Sequence, residues 1–431
     1  MRQGAGHAAT TGTLGKRRRG ALAAWFLYDW ASSAFPTIII TFIFSAYVTK
    51  ALAATPEIGT SYWGWAMGLS GLAIAVTSPP LGAVVDQLGQ RRPWLVFCSL
   101  LAIGAGLMLW TIEPRPAFLL PALFYAALGN FGFETAQVFY NAALGDVAPK
   151  GKVGRISGWA WGLGYAGGLS CLMLVLLLLV QPEVAPFGLD KANQEHIRAT
   201  GPFVALWYLV FALPLFFLLP DRPNSDMTIG RALTQGLATL GRTLRDLPRD
   251  KQVLRFLIAR MLYIDGLNTL FAFGGIYAAG TFGFSFTEIL YFGILINVTS
   301  GLGAAIFAWV DDWIGPKKTI ALSLLGLTLL GLALLLISDK LWFYVLGSGL
   351  GVFVGPVQAS SRSLMVRLAP AELSTEYFGL FALSGRATAF VGPLLVGSIT
   401  WLMDSQRWGM SVIVLFYLAG LFVLLPLREP Q

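Results

Sequence analysis

Apolar residues run along this chain in stretches of about twenty, the length of a membrane-crossing helix, broken by short polar connections from one end to the other. Runs such as SCLMLVLLLLV (170–180) are apolar on every face. They lack the alternation of a membrane-barrel strand, so the pattern predicts helices. Spans are expected to start near residues 22, 61, 94, 117, 156 and 201, then near 253, 287, 319, 341, 377 and 408, giving twelve in two blocks of six. The basic stretch KRRRG (16–20) resembles a signal-peptide start, but the apolar run after it is too long and ends in no small-residue cleavage site. A retained first helix is expected.

Composition agrees. Of 431 residues, 56% are hydrophobic and 12% charged, about half the charge of a soluble domain. Lys and Arg gather in alternate connections, which places both termini in the cytoplasm and accounts for the net charge of +8 without nucleic acid. The expected organisation is a basic tail (1–20), a six-helix bundle (21–219), a cytoplasmic linker (220–251), a second bundle (252–427) and a short tail (428–431). Within the linker, Leu233, Leu237, Leu240 and Leu244 recur at helical spacing among Arg231, Arg242 and Arg245, predicting a helix on the cytoplasmic leaflet. Cys98 and Cys171 fall in spans as small apolar residues, and His7 and His196 fall outside them, so neither a metal site nor a cofactor is expected. No G-x-x-x-x-G-K-[ST] loop is present, which argues against ATP coupling within the chain.

The chain repeats itself. GAVVDQLGQRR (82–92) recurs 226 residues later as AWVDDWIGPKK (308–318), aligning Asp86 with Asp312, Gly89 with Gly315, and Arg91 and Arg92 with Lys317 and Lys318. At an offset of 221, Gln137 pairs with Gln358, Ala148-Pro149 with Ala369-Pro370, Gly158 with Gly379 and Gly164 with Gly385. Each half therefore descends from one six-helix unit. In the repeated loop, glycine permits a tight turn, the two cations hold it in the cytoplasm, and the aspartate is free to cap a helix or pair with a cation.

Polar residues inside the spans share faces. Asp29, Ser32 and Ser33 in the first span align with Asp265, Asn268 and Thr269 in the seventh, an acid with hydroxyl or amide groups at i+3 and i+4. The fourth span carries Glu134, Gln137 and Asn141 on one face, and the tenth has Gly355, Gln358 and Arg362 in the same places. Arg260 and Arg386 lie in spans seven and eleven. Lipid cannot satisfy such groups, so they are expected to face a protein interior or a water-filled path, either as functional residues or as hydrogen bonds between helices. Gly347, Gly351 and Gly355, together with Gly158, Gly162, Gly164 and Gly168, mark faces where helices approach closely.

The loop with Gly82, Asp86, Gly89, Arg91 and Arg92 resembles the loop 2–3 motif of the major facilitator superfamily. YDWASSAF (28–35), FYNAALGDVAP (139–149), GRISGWAWGLGYAGG (154–168), ARMLYIDGLNTLFAFGGIYAAGTFG (259–283), GPVQASSRSL (355–364) and YFGLFALSGRATAFVGPLL (377–395) resemble its vacuole-effluxer-like branch, also labelled unknown major facilitators. The branch usually has asparagine where this chain has Ser32 and often lysine where it has Arg386. The resemblance implies an all-α membrane protein of twelve transmembrane helices in two pseudo-symmetric six-helix bundles, with spans 1, 4, 7 and 10 lining a cavity.

It further implies a secondary active transporter working by alternating access on a small-molecule substrate, with amino acid efflux as the suggested activity and no enzymatic role. In that scheme Asp29, Asp265 and Glu134 carry proton coupling, Arg386, Gln137 and Gln358 hold the solute, and the Asp86 and Asp312 loops gate. A monomer in a bacterial inner membrane is the expected setting. Alternatives are an uncoupled facilitator, a non-transporting receptor on the same fold and, most remotely, an intramembrane aspartyl protease. The Tyr28-Asp29 pair suits the last, but the nearest second acid, Asp146 in ALGD, lacks the required first glycine.

Overall fold

The computed structural model describes residues 4–184, 186–221 and 227–429. Linker residues 222–226 and tail residues 1–3 and 430–431 lie outside that description. Membrane-length helices form wherever the apolar runs predict them. They are α1 (Arg18–Leu52), α2 (Pro56–Leu88), α3 (Arg92–Thr111), α4 (Pro116–Val147), α5 (Val153–Val180) and α6 (Glu195–Leu218). The linker forms α7 (Ile229–Asp246). Then follow α8 (Lys251–Phe282), α9 (Thr287–Ile314), α10 (Pro316–Leu336) and α11 (Lys340–Leu368). The eleventh span is the exception to the expected continuous helices. It is split into α12 (Ser374–Ser384) and α13 (Val391–Met403), and α14 (Gln406–Leu424) completes the twelve.

Local chemistry sets several ends. Asp250 caps α8 by accepting from the N–H groups of Gln252 and Val253, and Ser285 with Glu288 forms a reciprocal capping box ahead of α9. Gly89 and Gly315, aligned in the two motif copies, adopt φ of 72° and 92°. Side chains rarely enter that region, which explains the glycine in both turns. In α1 the helix widens into π-turns over Phe35–Phe42, where Pro36 has no N–H to donate.

The residues cluster as two compact units. One comprises 1–73, 89–149 and 166–226; in it α1 packs on α6, and α3 packs on both α4 and α6. The other comprises 74–88, 150–165 and 227–431; in it α8 packs on α14, and α10 packs on both α11 and α14. The same neighbours thus recur in each. In the second unit the glycine face of α11 meets α9: a Cβ on Gly355 would stand 2.1 Å from the carbonyl oxygen of Ser300, and one on Gly347 would stand 2.5 Å from the Phe292 ring. Backbone contact this close requires glycine.

Candidate functional site

In the first unit, α1 presents its polar face inward. Asp29 is 7% exposed, Ser32 is fully buried and Ser33 half-buried. Gln137 Nε2 on α4 donates to Ser32 Oγ at 3.1 Å. That bond joins two residues that the sequence places on the separate polar faces of spans one and four. Glu134 and Asn141 lie half-buried on the same face of α4. Aromatic packing fixes the helices behind them. Trp25 stacks on Tyr140 at 4.4 Å, and each ring donates to the other's backbone carbonyl at 3.1 Å. The Tyr28 hydroxyl meets Ser99 Oγ at 2.7 Å and the Tyr208 hydroxyl at 2.9 Å.

In the second unit, Asp265 on α8 is 2% exposed, and its Oδ1 has no hydrogen-bond partner among the described residues. Thr388, in the break between α12 and α13, is the side chain facing it. One turn on, Thr269 Oγ1 donates to the Asp265 carbonyl at 2.7 Å, and Gly392 in the first turn of α13 packs directly on that hydroxyl. Asn268 is half-buried beside them, and Arg386 is half-buried within the break.

Arg260 explains how the break is held. Its guanidinium donates to the Phe381 carbonyl and to Ser384 Oγ (2.8 Å) and lies 3.4 Å over the Phe381 ring. It therefore satisfies carbonyl and hydroxyl groups at the C-terminal end of α12. The sequence places Arg260 only inside the seventh span. Arg362 is likewise committed, with Nε donating to Ser157 Oγ at 2.9 Å and Nη2 to the Ser157 carbonyl at 2.8 Å. At 2% exposed it is a strut between α11 and α5. Gln358 donates to the Tyr165 hydroxyl at 3.3 Å rather than to another expected site residue.

Both motif loops cap a neighbouring helix. Asp86 Oδ2 accepts the Glu376 N–H of α12 at 2.8 Å, and Asp312 Oδ1 accepts the Arg155 N–H of α5 at 3.0 Å. Arg91 is buried and pairs with Asp146 at 2.5 Å, while the Arg92 N–H donates to Asp221 at 2.8 Å. Asp146 is thus engaged in a loop ion pair. The Lys317 N–H donates to Glu429 at 2.7 Å, and Lys318 is exposed.

Three polar residues escaped the sequence reading. Asn130 donates to Ser70 Oγ at 3.1 Å, one turn before Glu134, a spacing that was visible. Asp311 is 1% exposed and accepts from Ser363 at 3.1 Å, and Glu376 is fully buried. Both were masked by neighbours that fitted a motif.

The profile of the family described as vacuole effluxer Atg22 like matches residues 57–430. An uncharacterized MFS-type transporter, YxiO of Bacillus subtilis, is 24% identical over 412 residues, covering 93% of each chain. Autophagy-related protein 22 of Kluyveromyces lactis is 24% identical over 378 residues, covering 79% of this chain and 74% of its own. Among solved structures, the proton:xylose symporter XylE superposes with a TM-score of 0.74 at 12% identity over 96% of this chain and 97% of its own. FucP in its outward conformation gives 0.68 at 15% identity over 96% and 99%. The fold is therefore the twelve-helix major facilitator fold, and the chain belongs to the vacuole effluxer Atg22 like family as an integral membrane transporter of the MFS type, not an enzyme.

Proposed function

We propose that this chain couples proton movement to the export of a small zwitterionic solute, with amino acids as the class, by alternating access. The break between α12 and α13 is the observation that carries the reading. It brings Thr388 and the first turn of α13, at Gly392, against the α8 segment that bears Asp265, with Arg386 half-buried in the break. A helix N-terminus and a guanidinium suit a carboxylate, and a buried carboxylate suits an ammonium group or a proton. Interrupted helices in transporters place such groups inside the membrane, where lipid would otherwise exclude them.

Asp265 and its aligned partner Asp29 are the coupling groups in this reading. An ionised carboxyl is expensive in such a setting, so proton uptake and release change which access state is favoured. Glu134, Gln137, Asn141 and Gln358 supply the neutral and acidic hydrogen-bonding faces, and Ser32, Ser33, Asn268 and Thr269 flank the two aspartates. The Asp86 and Asp312 loops act as gates. The Lys and Arg distribution supports cytoplasmic termini, and the Bacillus relative supports a bacterial plasma membrane. The functional unit is the monomer.

Proteoliposomes holding the purified chain and pooled amino acids test the reading. Solute flux that carries protons supports it. Solute flux without protons makes the chain a facilitator, and no flux with any pool favours a non-transporting role.

A further inference from the structure

The linker helix α7 carries two apolar rows, and the protein covers one of them. At about 100° per residue, Ala232, Gly236 and Leu240 share one arc, and all three are buried. They seat on the last turns of α2. A Cβ on Gly236 would stand 3.0 Å from the Val84 backbone, and Gln87 donates to Thr239 at 3.4 Å. The adjacent arc holds Ile229, Leu233, Leu237 and Leu244, which are between 45% and 70% exposed. Among the described residues, nothing covers this second row.

Cations occupy the opposite side. Arg231, Arg242 and Arg245 are exposed and fall within about 60° of one another around the helix. Arg242 reaches back to Thr239 Oγ1 at 3.1 Å. Arg231 and Arg245 make no ion pair among the described residues, and the nearest acids in the chain are engaged elsewhere: Asp246 pairs with Arg249 at 3.2 Å, and Asp250 caps α8. Val84 and Gln87, on which α7 rests, belong to the final turns of a membrane span, so α7 lies at the level where that span ends. A helix about 10 Å across, with its apolar side at the acyl boundary, holds its basic side among the lipid headgroups.

We propose that the exposed face of α7 binds anionic phospholipids of the adjoining leaflet, with the row Ile229, Leu233, Leu237 and Leu244 entering the acyl boundary and Arg231 and Arg245 pairing with headgroup phosphates. Zwitterionic headgroups carry no net charge to meet these cations, whereas an anionic surface strengthens binding about fivefold for each arginine brought near it. A soluble partner would have to displace the leaflet that already lies beside this row. Bound there, α7 ties the end of α2 to the membrane, so lipid charge sets how firmly that end is held. The face uses neither Asp29 nor Asp265, so the proposal stands apart from the coupling scheme.

Hydrogen–deuterium exchange of the full chain in nanodiscs tests it, comparing phosphatidylcholine alone with an equal mixture of phosphatidylcholine and phosphatidylglycerol. The amides of Ile229–Asp246 give the readout, and those of Pro316–Leu336 serve as the internal control. In the mixed discs wild-type α7 is expected to exchange more slowly, by about fivefold for each arginine engaged, while α10 is unchanged. High salt is expected to remove the difference. The double variant Arg231→Gln, Arg245→Gln is expected to lose it while keeping the phosphatidylcholine rate, and the double lysine variant to retain it. Equal α7 exchange in the two lipids, or a glutamine variant that keeps the difference, would overturn the proposal. Protection that follows the number of copies per disc rather than lipid charge would assign the face to a second copy and overturn it equally.

Discussion

Gln137 of α4 donates a 3.1 Å hydrogen bond to Ser32 of α1, one helical turn from Asp29 on the same polar face. The bond fixes how that face is presented. Ser32→Asn supplies the amide usual in this branch and is expected to keep solute flux. Gln137→Leu removes the donor and is expected to lower flux severalfold, with about 1 kcal/mol lost in stability. Initial rates in proteoliposomes and thermal unfolding in detergent give the two readouts.

Arg362 and Arg386 separate structure from function. Arg362 donates twice to Ser157, so Arg362→Leu is expected to destabilise by about 1–3 kcal/mol, read as a lower Tm in detergent. Arg386 sits half-buried in the helix break. Arg386→Lys is expected to retain transport, whereas Arg386→Gln raises KM for the solute about tenfold while leaving Tm close to wild type. Equal loss of Tm in the Arg386 variants would assign that side chain to scaffolding.

Glycine substitutions test the packing account by contrast. Gly355→Ala forces a methyl against the Ser300 carbonyl and is expected to destabilise by about 1–3 kcal/mol. Gly104→Ala in α3 meets nothing within 4 Å and is expected to be neutral or to stabilise by up to about 1 kcal/mol. Thermal unfolding of the two variants side by side checks the difference.

Much of this was legible in the chain, for identifiable reasons. Apolar runs of membrane length leave the backbone no choice but a helix, so span positions followed from pattern alone. The motif glycines were readable because Gly89 and Gly315 serve turns that other residues rarely enter. The break in span eleven was not read, although Pro393 just after it cannot bond the Ala389 carbonyl and so gives a local signal; tertiary contacts accompany the interruption, namely Arg260 closing the end of α12 and Asp265 facing Thr388. The sequence places Arg362 only on the polar face of the tenth span, and the Ser157 contacts reveal its commitment.

The most direct test of proton coupling is solute-driven proton flux in proteoliposomes, comparing the wild type with Asp29→Asn, Asp265→Asn and the double variant. The coupling account predicts proton movement in the wild type and its loss in the double variant, with folding preserved by thermal unfolding. Full proton coupling in the double variant would contradict it.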